Sequence, residues 1–291
     1  MSEIEHLLSV HNKLGEGPMW SIKEQVLYWV DIKDSSYSRF DPMSGTYQAV
    51  HVGTPIGVLA QRASGGLILA TKQGFAYWDP QKKELAPIAH PEANKPHMRF
   101  NDGAVDCRGR FWAGTMSETD DPLPEGSLYR LDPDGSVHRM LTGMGIPNGI
   151  GWSPDHTIMY VTDSARSAIY AYDFDVESGK IANGRTIVST SNTPYVPDGL
   201  AIDSEGYIWS ACWDGARILR YDPAGKVERV IEVPALRPTS CAFGGPDFDE
   251  LYITSSRADL TDMVLSRYPF SGDLFRLKTG IRGSETFLFA G

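Results

Sequence analysis

Short runs rich in Val, Ile, Tyr, Trp and Thr, bounded by Gly, Pro and Asp, recur from one end of the chain to the other. The helical spacing of about 3.6 residues is hard to find, so the pattern predicts an all-β protein. Six of the runs resemble one another: VLYWVD, GLILATK, GRFWAGT, TIMYVTD, GYIWSAC and ELYITSS. Aligned on Tyr28, Leu69, Trp112, Tyr160, Trp209 and Tyr252, they stand 41, 43, 48, 49 and 43 residues apart. Most are followed by a second run ending in a turn of Asp, Pro and Gly, as in YSRFDPMSG, FAYWDPQKK, LYRLDPDG and ILRYDPAG. Proline presets φ and glycine accepts φ > 0, which makes these hairpin ends. Six units with a period in the forties, each long enough for about four strands, predict a six-bladed β-propeller. Two β-sandwich domains would put a linker near the middle, and residues 130–170 hold no Ser/Gly/Pro-rich break; a single domain over residues 1–291 is expected. Ring closure is expected to pair the N-terminal EHLLSVHN segment with the last blade near ETFLFAG.

Composition narrows the partners. At 41% hydrophobic and 22% charged the chain is an ordinary globular one. With 37 acidic against 27 basic residues its formal charge is −10, and no cluster of Lys and Arg is interleaved with aromatics, so a nucleic acid is not expected to bind. No apolar segment approaches the roughly 18 residues of a membrane span, and the N-terminus is acidic where an export signal is basic; no membrane partner and a cytoplasmic location are expected. The sequence carries no signal for an oligomeric state. Cys107, Cys212 and Cys241 are odd in number and widely spaced, and read as free thiols in strands.

Counting back from each landmark aromatic exposes a second repeat. Glu16 in LGEGP lies 12 residues before Tyr28, Asn148 in IPNGI lies 12 before Tyr160, and Asp198 in VPDGL lies 11 before Trp209. Arg99, Asn101 and Asp102 in RFNDG fall 10 to 13 residues before Trp112, with Ile56, Thr239 and Ser240 at comparable places in the remaining units. Equivalent positions in a propeller share one height around the axis, so these side chains are predicted to meet at one mouth of the channel. Two carboxylates confined there would repel and lose hydration, which calls for a cation between them. Oxygen ligands without Cys or His suit a hard ion such as Ca²⁺, Mg²⁺ or Mn²⁺. Three protein ligands leave coordination places for water and substrate. The competing reading is that Asn-Gly and Asp-Gly are turn dipeptides; Glu16, which has no particular use in a tight turn, and the shared register favour the cation.

Other chemistries lack their motifs. There is no G-x-S-x-G elbow, Walker loop or G-x-G-x-x-G after a strand. DFDVESGKIANG imitates a calcium loop but ends on Gly where an EF-hand needs Glu, and reads as a hairpin turn. Of seven histidines only His97 lies near the expected mouth.

Through LGEGPMW, RFNDGAVD followed by GRFWAGTM, IPNGIGWSPD, VPDGLAID with GYIWSACW, and TSCAFGG with ELYIT, the chain resembles the senescence-marker-protein, gluconolactonase and regucalcin family nearly end to end. The resemblance implies a six-bladed propeller with one divalent cation on its axis, which could be Ca, Mg, Mn, Zn or Fe(II). It implies hydrolysis of a sugar lactone such as glucono-, xylono- or arabinonolactone. Carried over by position, it implies Glu16, Asn148 and Asp198 as metal ligands, Asp198 also as general base, and Arg99 and Asn101 as substrate contacts. Family members often place an acidic sugar-binding residue after the GTM motif; GTMSETDD offers Glu118, Thr119, Asp120 and Asp121, of which Glu118 is the expected substrate contact. The alternatives are a calcium-binding or regulatory propeller with a structural metal, and an organophosphate or aryl-ester hydrolase of a related propeller type.

Overall fold

The computed structural model describes residues 4–119 and 124–291, and among these 24 strands form six four-stranded antiparallel sheets. Blade one is Gly15–Ser21, Val26–Asp31, Ser36–Asp41 and Thr46–His51, from the axis outwards. Blades two to five repeat that order, starting at Ile56, Met98, Pro147 and Val196. The innermost strands touch in sequence around the ring, and the innermost strand of blade six, Arg237–Gly244, returns to that of blade one. This is a six-bladed β-propeller.

The landmark aromatics sit in the second strand of each blade. In Val26–Asp31 every side chain is buried, because both faces of that strand meet neighbouring blades. The outermost strand Thr46–His51 is largely exposed, which explains its polar sequence. Between blades, Tyr28 and Val30 pack against Ile56, Leu59 and Leu69, and Tyr160 and Ile169 pack against Leu200, Ile208 and Leu219. Each such aliphatic side chain contributes roughly 1.5–3 kcal/mol by leaving water.

Ring closure departs in part from the expectation. Glu5–Leu8 does join blade six, as its outermost strand, but its partner is Leu274–Lys278, with Glu5 opposite Arg276. The ETFLFAG segment forms no strand. It runs across the far end of the axis, where Ser284 N donates to Ile202 O of blade five, Phe289 N to Gln61 O of blade two and Ala290 N to Gly109 O of blade three. The cause is Phe289, fully buried among Ile68, Phe75 and Phe111 of blades two and three. One thiol also differs: Cys212 and Cys241 lie buried in strands, whereas half-buried Cys107 lies in the turn after Val105.

All six innermost strands slip register at one equivalent place, between Glu16 and Met19, Ile56 and Val58, Phe100 and Gly103, Asn148 and Ile150, Pro197 and Leu200, and Pro238 and Ser240. A bulge leaves a residue unpaired and re-aims its side chain. The Asn-Gly and Asp-Gly pairs are therefore bulges inside strands, not turns. Glycine follows because the next blade is too close for anything larger: a Cβ on Gly149 would lie 2.5 Å from Leu200 N, and one on Gly199 would lie 2.1 Å from Ser240 Oγ.

Candidate functional site

The bulges bring Glu16, Asn148 and Asp198 to one mouth at 5%, 4% and 3% exposure, with Asp102 of blade three joining them at 7%. Few partners meet these carboxylates. Glu16 Oε2 accepts from Gly17 N at 3.2 Å, Asp102 Oδ1 from Gly103 N at 2.7 Å, and Asp198 Oδ1 is buried with no hydrogen-bond partner. Burial, then the charges of Asp198 and Asp102, hold Glu16 well above the carboxylate range, against Gly17 N–H and the Arg99 guanidinium. Asp198 is raised in the same way by burial and then by Asp102, and burial pushes Asp102 up to about 6. Buried polar atoms in native proteins almost always have partners, so an orphaned carboxylate oxygen among like charges marks a place for a positive ligand. Among the described residues no three His, Cys, Asp and Glu side chains close on one point as a metal cluster. The set that fits a hard cation here counts the Asn148 amide oxygen as a member.

A hydrogen-bonded chain crosses the mouth. Arg99 Nη1 donates to Asn101 Oδ1 at 2.6 Å, and Asn101 Nδ2 donates to Asn148 Oδ1 at 2.9 Å and to Pro147 O at 3.0 Å. Asn148 Nδ2 donates to Ser164 Oγ at 2.9 Å, and Ser164 Oγ donates to Pro197 O at 2.7 Å. Asn101 is thus largely committed to neighbours. Arg99, half-buried where Asn101 is buried, lies on the rim side, its pKa lowered by burial and supported by Glu118 and Glu16.

Glu118, at the rim just past Phe111–Ser117, pairs with Lys72 of blade two and lies 3.5 Å from Arg99 Nε. Asp120 and Asp121 lie outside the described residues. His97 turns to Glu125, 3.6 Å away. Blades two and six offer no charge at the equivalent bulge: Ile56 packs in the apolar core, and Thr239 Oγ1 bonds Gly15 O and Thr254 Oγ1. Below the carboxylates an axial cavity of about 180 Å³, walled by Trp20, Ile150, Trp152, Leu200 and Phe243, reaches the tail at Ser284.

Sequence reasoning missed Lys72 and Ser164. Both follow the landmark strand, 3 residues after Leu69 and 4 after Tyr160, at the same mouth as the start of the innermost strand. Counting forward as well as back from the landmarks would have found them.

A family model described as SMP-30/Gluconolactonase/LRE-like region matches residues 14–257. Regucalcin of Xenopus laevis is 39% identical over 295 residues, covering 99% of each chain. Among solved structures, a luciferin-regenerating enzyme superposes with a TM-score of 0.92 at 29% identity, covering 100% of both chains. A calcium-binding protein, regucalcin, of Agrobacterium tumefaciens also has a TM-score of 0.92, at 27% identity, covering 100% of this chain and 97% of that one. With its matched residues spanning five blades and the start of the sixth, and its bulges carrying the motifs that first raised the resemblance, the chain belongs to the SMP-30/gluconolactonase/LRE-like family.

Proposed function

We propose that the protein is a sugar lactonase that works with one divalent cation held by Glu16, Asn148 and Asp198. The observation that carries this reading is the buried, partnerless Asp198 Oδ1 beside two other carboxylates, Glu16 and Asp102, whose proton affinity burial raises. An all-oxygen set of this kind fits Ca²⁺, Mg²⁺ or Mn²⁺. When bound, the cation would polarise the lactone carbonyl and make water more acidic.

The remaining work falls to side chains. Asp198 takes a proton from the attacking water as the new C–O bond forms, acting as general base. The ring C–O bond then breaks, and the proton passes to the departing alkoxide, leaving the aldonic acid. Arg99, always protonated, faces the rim and stabilises negative charge building on the carbonyl oxygen. Glu118, held between Lys72 and Arg99, accepts hydrogen bonds from the sugar hydroxyls, and Asn101 chiefly holds Arg99 in place while touching substrate through its remaining acceptor capacity. A site built to bond hydroxyls rejects lactones that lack them.

A calcium-binding role without turnover is the second reading, favoured by the names of the regucalcin relatives. Glucono-, xylono- and arabinonolactone, assayed by acid release with Ca²⁺, Mg²⁺, Mn²⁺, Zn²⁺ or Fe²⁺ and calorimetry of cation uptake, separate the two. Turnover that a chelator abolishes and a cation restores supports the lactonase. Cation uptake with every lactone left intact supports the second reading and ends the first.

A further inference from the structure

We infer that Ser164 is a positioning residue that fixes which end of the Asn148 amide faces the cation; the inference rests on the metal site proposed above. An asparagine amide can present either oxygen or nitrogen, and only the oxygen ligates a hard cation. The hydrogen-bonded chain across the mouth removes that choice, because its two ends are chemically one-sided. Arg99 at one end has donors only, so Asn101 must meet it with Oδ1 and turn Nδ2 towards Asn148. The carbonyl of Pro197 at the other end accepts only, so Ser164 must spend its single proton there and meet Asn148 as an acceptor. Asn148 can then satisfy both neighbours in one orientation alone, Nδ2 to Ser164 and Oδ1 to Asn101.

Ser164 is suited to this by place as well as by chemistry. It is buried, it opens the 3-10 turn Ser164–Arg166 at the end of the second strand of blade four, and its backbone N donates to Ile146 O. Its hydroxyl spans two blades, holding the Asn148 amide of blade four and the carbonyl that immediately precedes Asp198 in blade five. Two of the three proposed ligands thus take their aim from one side chain. Without the hydroxyl, Asn148 Nδ2 loses its Ser164 acceptor and keeps only its bond to the Asp198 carboxylate, and the Asn101 donor is left as the one group of the chain opposing a flip of the amide.

The test is calorimetric titration of the chelator-stripped full chain with CaCl₂ and with MnCl₂, using wild type, Ser164→Ala, Ser164→Cys and Ser164→Thr, alongside thermal unfolding of each metal-free protein. Supporting groups around metal ligands typically change affinity by about 10- to 100-fold, so S164A is expected to weaken both cations by at least about 10-fold. S164C, with a poorer hydrogen-bonding group, falls between S164A and wild type, and S164T, which keeps the hydroxyl, restores the affinity. A purely structural role would lower the unfolding temperature of S164A and leave its cation affinity at 25 °C within about twofold of wild type, short of the effect of a supporting group; that result overturns the inference. If S164A does not fold, equal affinity of S164C and wild type overturns it. A wild-type protein that turns over lactones but takes up neither ion, or that takes up no cation at all, removes the metal site and this inference with it. Cation uptake without turnover leaves the inference standing and removes only the lactonase.

Discussion

One strand of blade five ends in two very different buried aspartates. Asp203, directly after Val196–Ile202, accepts from Glu205 N, Tyr207 N, Trp209 Nε1 and Arg220 Nε, all within 3.0 Å. Arg220 Cζ lies over the Tyr207 ring, 3.8 Å from its centroid, and the guanidinium pairs also with Glu205 and Glu228. Blade three repeats the device, with Asp106 gathering Arg108 N, Arg110 N, Arg110 Nε and Trp112 Nε1. Asp198, five residues before Asp203 and at the opposite end of the axis, keeps one oxygen with no partner. This fold therefore has a ready way to satisfy a buried aspartate and does not apply it at the mouth. The difference separates a carboxylate that serves the scaffold from one reserved for a ligand.

Substituting the two aspartates sharpens the contrast most. Asp198→Ala is expected to lower lactone turnover by about 10²–10⁴-fold, the usual range for loss of a general base, while the metal-free protein folds and melts no lower than wild type. Near-wild-type turnover in that variant would collapse the distinction. Asp203→Ala should do the reverse: removing one partner of a buried ion pair costs about 3–5 kcal/mol, read by denaturant unfolding, with turnover per folded molecule unchanged.

Acidity tests the same contrast without mutation. Asp102 is pushed up to about 6 in the folded, metal-free chain, against about 4 when unfolded, so the folded state holds its proton more tightly. Its stabilisation is complete below about pH 4, is lost as the pH rises through about 6, and amounts to a few kcal/mol at about 1.4 kcal/mol per pKa unit. Melting curves in EDTA should therefore fall between about pH 4 and 7, and saturating CaCl₂ should flatten the fall. Parallel curves with and without the ion would count against a cation among these carboxylates. The smallest effect is expected at the rim. Lys72→Met breaks a half-exposed pair and should change stability by less than about 1 kcal/mol. It should raise the KM for gluconolactone by roughly threefold to tenfold, yet leave δ-valerolactone, which lacks the hydroxyls, unchanged.

Much of this was legible because the propeller repeats. Tyr28, Trp112, Tyr160 and Trp209 mark the second strand of their blades, buried on both faces, and Glu16, Asn148 and Asp198 share a bulge that the repeat places at one height. What the pattern did not carry are contacts that join different blades. Lys72 reaching Glu118, and Ser164 reaching the Pro197 carbonyl, depend on how neighbouring blades sit against each other, and no period records that. The tail was misplaced for a similar reason. ETFLFAG has the apolar content of a strand, but Phe289 finds a deeper berth between blades two and three than an edge position would give.

The pairing of Glu5 with Arg276 spans 271 residues. During synthesis the first strand leaves the ribosome long before its neighbour is made, and must wait unclaimed while five blades take shape. A late, long-range closure of this kind is slow and leaves a bare edge open to other nascent chains. The brevity of that strand and its charged Glu5 then act as protection for the growing polypeptide as much as a clasp for the finished one.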